Sequence, residues 1–131
     1  MKIAITSSGP TLDSQVDPRF GRAQYFLIVD TETLDVEAIE NPYVAAGGGA
    51  GIQTAQMVVT KGAEAVLTGN CGPNAFRTLG AAGVKVYAGV TGTIRAALAA
   101  LEQGDLTPLS GPSVSGHFGI GQSGPNGSVS S

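Results

Sequence analysis

The sequence predicts a single α/β domain in which helices pack on a mixed β-sheet, and three observations lead to that prediction. β-type runs alternate with helical patterns along the later part of the chain, which is typical of parallel strands joined by right-handed crossovers. Two consecutive β-type runs before them favour an antiparallel hairpin. Apolar residues make up 42% of the 131 residues, which is enough for one modest hydrophobic core.

Three strands are predicted in the first forty residues. Residues 2–6 form a short β-type run that ends at the turn sequence SSGP. Residues 24–30, QYFLIVD, are aromatic and β-branched, as in a buried central strand. Residues 35–40 mostly alternate polar and apolar side chains, which predicts a strand with one face in water, and Asn41-Pro42 ends it.

Helices and strands alternate after the glycine-rich segment 45–51, AAGGGAG, which we expect to be a mobile loop. Ile52, Ala55, Val58 and Val59 recur at helical spacing. The predicted elements are a helix ending near Lys61-Gly62, a strand at 63–68, a helix from 74 closed by Gly80 and Gly83, a strand at 84–87 and a helix at 91–101.

The folded domain is expected to span residues 1–103. Of the 28 residues from Gly104 onward, 17 are Gly, Ser or Pro. Such a segment cannot bury enough apolar surface to offset its ordering entropy, so we expect residues 104–131 to be disordered in the isolated protein.

Composition excludes several classes of protein. The net charge of −3 argues against a nucleic-acid partner, which requires a basic surface. A single cysteine, Cys71, excludes an internal disulfide and a four-cysteine metal site. There is no signal-peptide pattern and no apolar run approaching the ~18 residues of a membrane span. We therefore expect a cytoplasmic protein with no membrane partner.

The charge is nevertheless unevenly distributed. Five of the ten acidic residues fall between Asp30 and Glu40. Elsewhere the basic residues are in slight excess, and four arginines lie at or near predicted loops: Arg19, Arg22, Arg77 and Arg95.

The segment DPRFGR at 17–22 is the first candidate site. Arg19 and Arg22, three residues apart around Gly21, present positive charge and planar donors to an anion. The alternative is a solvated loop that inserts Phe20 into the core.

The segment GNCGPN at 69–74 is the second candidate, between the end of a predicted strand and the start of a helix. Pro73 suits a first helical turn, glycines let backbone N–H groups approach a ligand, and a helix start carries partial positive charge. This combination predicts an anion cradle, although Gly-Pro also makes a plain tight turn. The candidate residues are Gly69, Asn70, Cys71, Gly72, Pro73 and Asn74.

Three further features leave alternatives open. Cys71 is either a thiolate metal ligand favoured by the helix start or a small buried thiol. The glycine-rich segment, with Gly48 and Gly49, is either a lid over a ligand or a connector. His117, the only histidine, lies in the predicted tail, where it is either solvated or a metal ligand.

The sequence contains few of the residue patterns that are typical of enzyme active sites. It has no HExxH motif, no Walker loop and no Ser–His–acid set within the predicted core. A two-metal nuclease using Asp13, Asp17 and Asp30, a flavin or phosphate binder, and a pure protein-interaction module remain as alternatives.

Taken together, DPRFGR…YFLIVD and LTGNCGPNAFRTLGAAGVKVY resemble the NifX-type dinitrogenase iron–molybdenum cofactor biosynthesis family, over residues 2–101. Within that family the chain is most similar to the orange-protein branch of sulfate-reducing bacteria. The resemblance implies a ribonuclease H-like three-layer fold with a five-stranded mixed sheet. It also supports Arg19, Phe20, Gly21 and Arg22, together with the second motif, as the binding site.

The function implied by this resemblance is a non-enzymatic carrier that holds a molybdenum–copper sulfide cluster non-covalently. The alternative cargo is an iron–molybdenum cofactor precursor in nitrogenase assembly. The implied partners are the cluster itself and proteins linked to cell division, and the implied state is a monomer or a weak cluster-bridged dimer.

Overall fold

A computed structural model describes residues 1–44 and 50–111. Five strands and three helices follow one another in the order that the sequence predicts. In that part of the chain no helix is long and apolar enough to cross a lipid bilayer. The elements are β1 (Lys2–Ser7), β2 (Tyr25–Asp30), β3 (Val36–Glu40), α1 (Ala50–Thr60), β4 (Ala65–Leu67), α2 (Pro73–Ala81), β5 (Lys85–Tyr87) and α3 (Ile94–Glu102).

The five strands form one mixed sheet in the order β3-β2-β1-β4-β5. β1 runs antiparallel to β2, with Lys2 opposite Asp30 and Ser7 opposite Tyr25. β2 is antiparallel to β3, whereas β4 is parallel to both β1 and β5. The carboxyl ends of the three parallel strands therefore meet at one end of the sheet, where binding sites of open α/β sheets form.

Helices cover both faces of the sheet, so the domain has three layers. On one face α1 and α2 bury Val58 and Leu79 against β-strand residues such as Phe26. On the other face α3 buries Ile94 and Ala97 against a second cluster that includes Ile3 and Leu27. The alternation of buried side chains along β1 supplies both clusters, because successive residues of a strand point to opposite faces.

The first turn of α1 departs from the predicted pattern. Ala55 and Val58 are buried as expected, but Ile52 is 36% exposed. Gly62 follows the helix with φ +83°, a left-handed conformation that stops it where the sequence predicts. The helical period is therefore correct, and only its first apolar residue faces outward.

Strand β3 is more exposed than the sequence predicts. It was expected to have one wet face, yet only Ile39 is even half-buried and the other four residues are exposed. The reason is its position, since β3 lies at the edge of the sheet and no helix contacts it extensively.

The packed chain continues beyond the predicted domain end at residue 103. Leu106 packs against the α3-side cluster and Leu109 against the α1/α2-side cluster. The Leu109 N–H also donates to the Val86 carbonyl at 2.7 Å. Residues 106–109 thus make contacts beyond the predicted boundary at residue 103, while residues 112–131 of the predicted disordered tail lie outside the described part.

Candidate functional site

A cleft lies at the carboxyl end of the parallel strands, between the starts of α1 and α2. Its volume is about 210 Å³. This is below the ~300–1,000 Å³ of pockets for drug-sized ligands, so the cleft suits a compact ligand. No charged side chain is among its lining residues, which are Phe20, Gly21, Gly51, Ile52, Gly72, Pro73, Asn74 and Ala75.

The two candidate motifs lie side by side at this cleft. The Phe20 N–H donates to the Asn70 carbonyl at 3.2 Å, and the Asn70 side-chain amide donates to the Pro18 carbonyl at 3.2 Å. A Cβ on Gly69 would lie 2.6 Å from the Pro18 Cα, so only glycine permits this approach. Gly69 and Asn70 thus join the two motifs and do not line the cleft themselves.

A second close backbone contact brings the start of α1 to the site. A Cβ on Gly21 would lie 3.0 Å from the Gly51 Cα and 3.1 Å from the Gly51 nitrogen. The pair therefore acts as a glycine-to-glycine contact that holds α1 against the DPRFGR loop. Residues 45–49, including the candidate Gly48 and Gly49, precede this contact in the chain and lie outside the described residues.

Two helix N-termini meet at the cleft, and neither carries an acidic residue in its first turn. Helix α2 begins after Gly72, which supplies no side-chain cap, and Pro73 occupies the first helical turn. First-turn N–H groups have no partner within a helix, and together with the helix dipole they create positive potential. The start of α1 therefore lies at the same cleft as the start of α2, where the sequence predicts an anion cradle.

The arginines surround the cleft without lining it. The Arg19 backbone N–H donates to Asp17 Oδ1 at 2.9 Å, and the Arg19 Nε lies 3.5 Å from the same oxygen. Asp17 is buried, so it fixes the loop and partly offsets the Arg19 charge. Arg22 Nη1 donates to the Val44 carbonyl at 3.4 Å, and Arg77 Nη2 donates to Asn74 Oδ1 at 2.9 Å.

Phe20 joins the core and the cleft. It is 2% exposed, and its ring meets Phe26 edge-on with centroids 5.4 Å apart. The same residue contributes an apolar wall of the cleft, opposite Ile52. The two alternatives for Phe20, a core plug or part of a site, are thus compatible.

Cys71 lies in the α1/α2-side core and is 0% exposed. Burial raises the pKa of its thiol to about 12, because the thiolate would lose its hydration. Of the two alternatives, the structure supports the small buried thiol. Cys71 does not line the cleft, and its role as a metal ligand stays a prediction.

The nuclease alternative is not supported. The Asp17 N–H donates to the Thr6 carbonyl near the carboxyl end of β1. Asp30 lies at the other end of that strand, where it is opposite Lys2 in the β1–β2 ladder. Asp13 is exposed and pairs with Arg95. Within residues 1–44 and 50–111, no three His, Cys, Asp or Glu side chains form a group able to hold a metal ion. His117 lies outside those residues.

Two residues of the site were not among the candidates: Ala75 lines the cleft, and Arg77 contacts it through Asn74. Gly51, which also lines the cleft, belongs to the glycine-rich segment 45–51 that was expected to be a loop, and it lies in the first turn of α1 instead. A small residue in the first turn of each helix is the signal that could have shown where α1 and α2 open onto a shared space. The spacing of Arg77, three residues after Asn74, places the two on one helix face.

The fold and the site define a small α/β domain with a cleft between two helix starts. The chain belongs to the family described as dinitrogenase iron-molybdenum cofactor, whose model matches residues 1–104. The resemblance derived from the two motifs is confirmed by this match.

Individual relatives agree with the family assignment. The apo form of the orange protein from Desulfovibrio gigas is 42% identical, with a TM-score of 0.84 and coverage of 86% of this chain and 96% of that one. A putative NifB protein from Thermotoga is 44% identical, with a TM-score of 0.77 and coverage of 88% and 98%. An uncharacterized protein of Methanocaldococcus jannaschii is 32% identical over 97 residues, which is 72% of this chain and 79% of the relative.

Proposed function

We propose that this protein is a non-enzymatic carrier that holds an anionic molybdenum–copper sulfide cluster non-covalently as its cargo. The observation that carries the proposal is the convergence of two helix N-termini, free of acidic first-turn residues, on one cleft. Family membership and the similarity to the apo form of the orange protein support a ligand-carrying role.

The lining of the cleft has the chemistry that a compact anion with soft sulfides requires. Backbone N–H groups of the first turns supply donors, and Phe20 and Ile52 supply apolar walls for weakly hydrated sulfur. Arg22 and Arg77 add positive potential from the rim. Because the described residues that line the cleft include no cysteine, histidine or acidic residue, we expect such a cargo to be held by its charge and shape.

Reconstitution tests the proposal. The full chain is incubated with tetrathiomolybdate and a copper salt, desalted, and analysed for visible absorption and for metal content. We expect retained colour with molybdenum and copper in fixed proportion to protein. Absence of both metals after desalting would contradict the carrier function.

Arginine variants locate the binding. We expect Arg77→Gln and Arg22→Gln to weaken retention several-fold, because each removes a cation beside the cleft. Arg95→Gln is the matched control, since it makes the same change at a guanidinium that pairs with Asp13, away from the cleft lining. Equal loss in all three variants would place the cluster elsewhere.

An iron–molybdenum cofactor precursor is the second candidate cargo, favoured by the description of the matched family. Metal analysis separates the two, since the precursor brings iron and the first candidate brings copper. Sedimentation before and after loading tests whether the protein stays a monomer or forms the proposed cluster-bridged dimer.

Three further parts of the proposal depend on the resemblance: a cytoplasmic location, protein partners linked to cell division, and a ribonuclease H-like classification. The last is supported by the strand order β3-β2-β1-β4-β5, with β2 antiparallel to both of its neighbours and β4 parallel to both of its own.

A further inference from the structure

A second surface lies at the opposite side of the domain from β5, where strand β3 forms the sheet edge. We propose that this edge binds an extended segment of a partner protein that alternates apolar and basic residues and adds to the sheet as a sixth strand. The proposal is independent of the cargo in the cleft.

The backbone of β3 offers the hydrogen-bonding groups for such an addition. The Asn41 N–H donates to Gln24 and the Asp30 N–H donates to Asp35, which fixes the bonded pairs of the β2–β3 ladder. Hydrogen-bonded and non-hydrogen-bonded residue pairs alternate in an antiparallel ladder. The backbone N–H and C=O groups of Glu37 and Ile39 therefore also point toward β2. The N–H and C=O groups of Val36, Ala38 and Glu40 therefore point away from the sheet, as in other exposed edges.

An apolar groove accompanies this edge on the α3 side. Its volume is about 270 Å³. It exists because α3 leaves the sheet beside it uncovered, so Leu34 is 70% exposed and Val36 is 39% exposed. The groove is lined by Leu12, Val29, Thr31, Leu34, Val36, Arg95, Leu98, Ala99 and Glu102.

Leu34 has an unusual backbone for an exposed leucine. Its φ is +65°, a left-handed conformation in which Gly or Asn costs less. The turn that holds it includes the Leu34 N–H, which donates to the Asp30 carbonyl at 2.8 Å. A large apolar side chain is thus presented to solvent at a position where a small polar residue would be less strained.

The acidic residues of the β3 edge favour a partner segment that carries positive charge. Asp35 and Glu37 lie with Lys2 on the α1 side, whereas Glu40 shares the α3 side with Val36, because alternate residues of a strand point to the same face. Among the described residues, Glu37 pairs with Lys61, while Asp35 and Glu40 have no ion-pair partner. N–H groups of Glu32 and Thr33 donate to Asp30 Oδ1 and hold the pKa of this carboxyl below its ordinary value.

An added strand would therefore meet different chemistry on its two faces. Side chains on the α3 side would contact Leu34 and Val36, and side chains on the α1 side would face Asp35 and Glu37. A second copy of β3 would instead bring two acidic edges together, which like-charge repulsion disfavours. Alternating apolar and lysine or arginine residues match both faces.

A synthetic eight-residue peptide of alternating lysine and valine tests the proposal on the full chain. Hydrogen exchange of individual amides is followed by NMR with and without the peptide. We expect at least tenfold slower exchange at the N–H groups of Val36, Ala38 and Glu40. Peptides in which glutamate replaces lysine, or serine replaces valine, should produce little slowing.

Charge variants complete the test. Asp35→Lys with Glu37→Lys should weaken peptide binding at least tenfold, whereas Glu64→Lys with Asp105→Lys makes the same charge change at exposed positions outside the edge. Unchanged exchange at the three amides, or equal slowing by the lysine–serine peptide, would overturn the proposal. Slow exchange at these amides in a concentration-dependent dimer without peptide would assign the edge to a second copy instead.

Discussion

The Pro18 Cα occupies the space that a side chain at Gly69 would need. A Cβ built on Gly69 lies 2.6 Å from that atom and 2.8 Å from the Pro18 carbonyl oxygen. Both atoms belong to the backbone, so neither can rotate away as the end of a side chain would. This contact holds the DPRFGR loop against the GNCGPN loop.

Gly69→Ala is therefore expected to destabilise the protein by about 1–3 kcal/mol, since the two loops must separate to admit the methyl group. Urea unfolding followed by far-UV circular dichroism measures the change. The variant should also retain less thiomolybdate, because the cleft depends on the same loops.

Gly80→Ala is the matched control, since Gly80 lies in the last turn of α2 and nothing is within 4 Å of a Cβ built there. Alanine is the better helix former, so this variant should gain about 0.5–1 kcal/mol. A loss of stability at Gly80 comparable to that at Gly69 would contradict the steric explanation.

The Cys71 thiol should make stability depend on alkaline pH. Burial raises its pKa from 9.0 to about 12, so between these values the unfolded chain ionises at Cys71 and the folded chain does not. The free energy of unfolding should then fall as pH rises through that window, by at most about 1.4 kcal/mol per pH unit.

Urea unfolding of the wild type and of Cys71→Ala at pH 8 and pH 10 isolates this effect, because lysines and tyrosines titrate in both proteins. The difference in free energy of unfolding between the wild type and Cys71→Ala should be smaller at pH 10 than at pH 8. Reaction of Cys71 with iodoacetamide should likewise be slow in buffer and fast in urea. Rapid reaction of the native protein would show an accessible thiolate.

Asp17 should stabilise the loop mainly by accepting the Arg19 N–H. Replacing it with alanine leaves this partly buried donor without its acceptor, at a cost of about 1 kcal/mol. Asp17→Asn keeps an oxygen in place and should cost less. If the two variants lose equal stability in urea, the negative charge matters more than the hydrogen bond.

Thiomolybdate retention should weaken with salt. Arg22 and Arg77 are exposed, and charges at the surface are screened over about 3 Å at 1 M ionic strength. We expect the apparent affinity to fall several-fold between low salt and 1 M sodium chloride, measured by equilibrium dialysis. Arg77→Gln should show a shallower dependence, and an affinity unaffected by salt would argue for direct metal ligation.

Hydrophobic periodicity was sufficient to predict the order of the elements and the mixed sheet. The predicted burial of β3 was wrong, because β3 is the edge strand of the sheet and the order of strands in space cannot be determined from the pattern DVEAIE. The periodicity also failed for Ile52, since a helix rotates by about 100° per residue and the buried face of α1 runs through Ala50, Thr54 and Val58.

The candidate site was predictable in part for a similar reason. The two motifs can be recognised in the sequence by their glycine, proline and arginine residues, and they are adjacent in the structure. Gly51, Ala75 and Arg77 contribute only through tertiary packing of α1 against α2. The environment of Cys71 is likewise tertiary, because a helix start and a hydrophobic core have opposite effects on a thiol and only packing decides between them.

The hydrogen bond from Asn70 to Pro18 joins residues 52 positions apart in the chain. Because this hydrogen bond closes the two loops that position the cleft, we expect a partly folded copy to lack the cleft and to bind none of the proposed cargo. Any ligand that binds only the closed form stabilises it by mass action, by about 2.7 kcal/mol at a concentration of 100 Kd. Binding of the proposed cargo would then be limited to fully folded molecules, and it would prolong the lifetime of the folded state in those molecules.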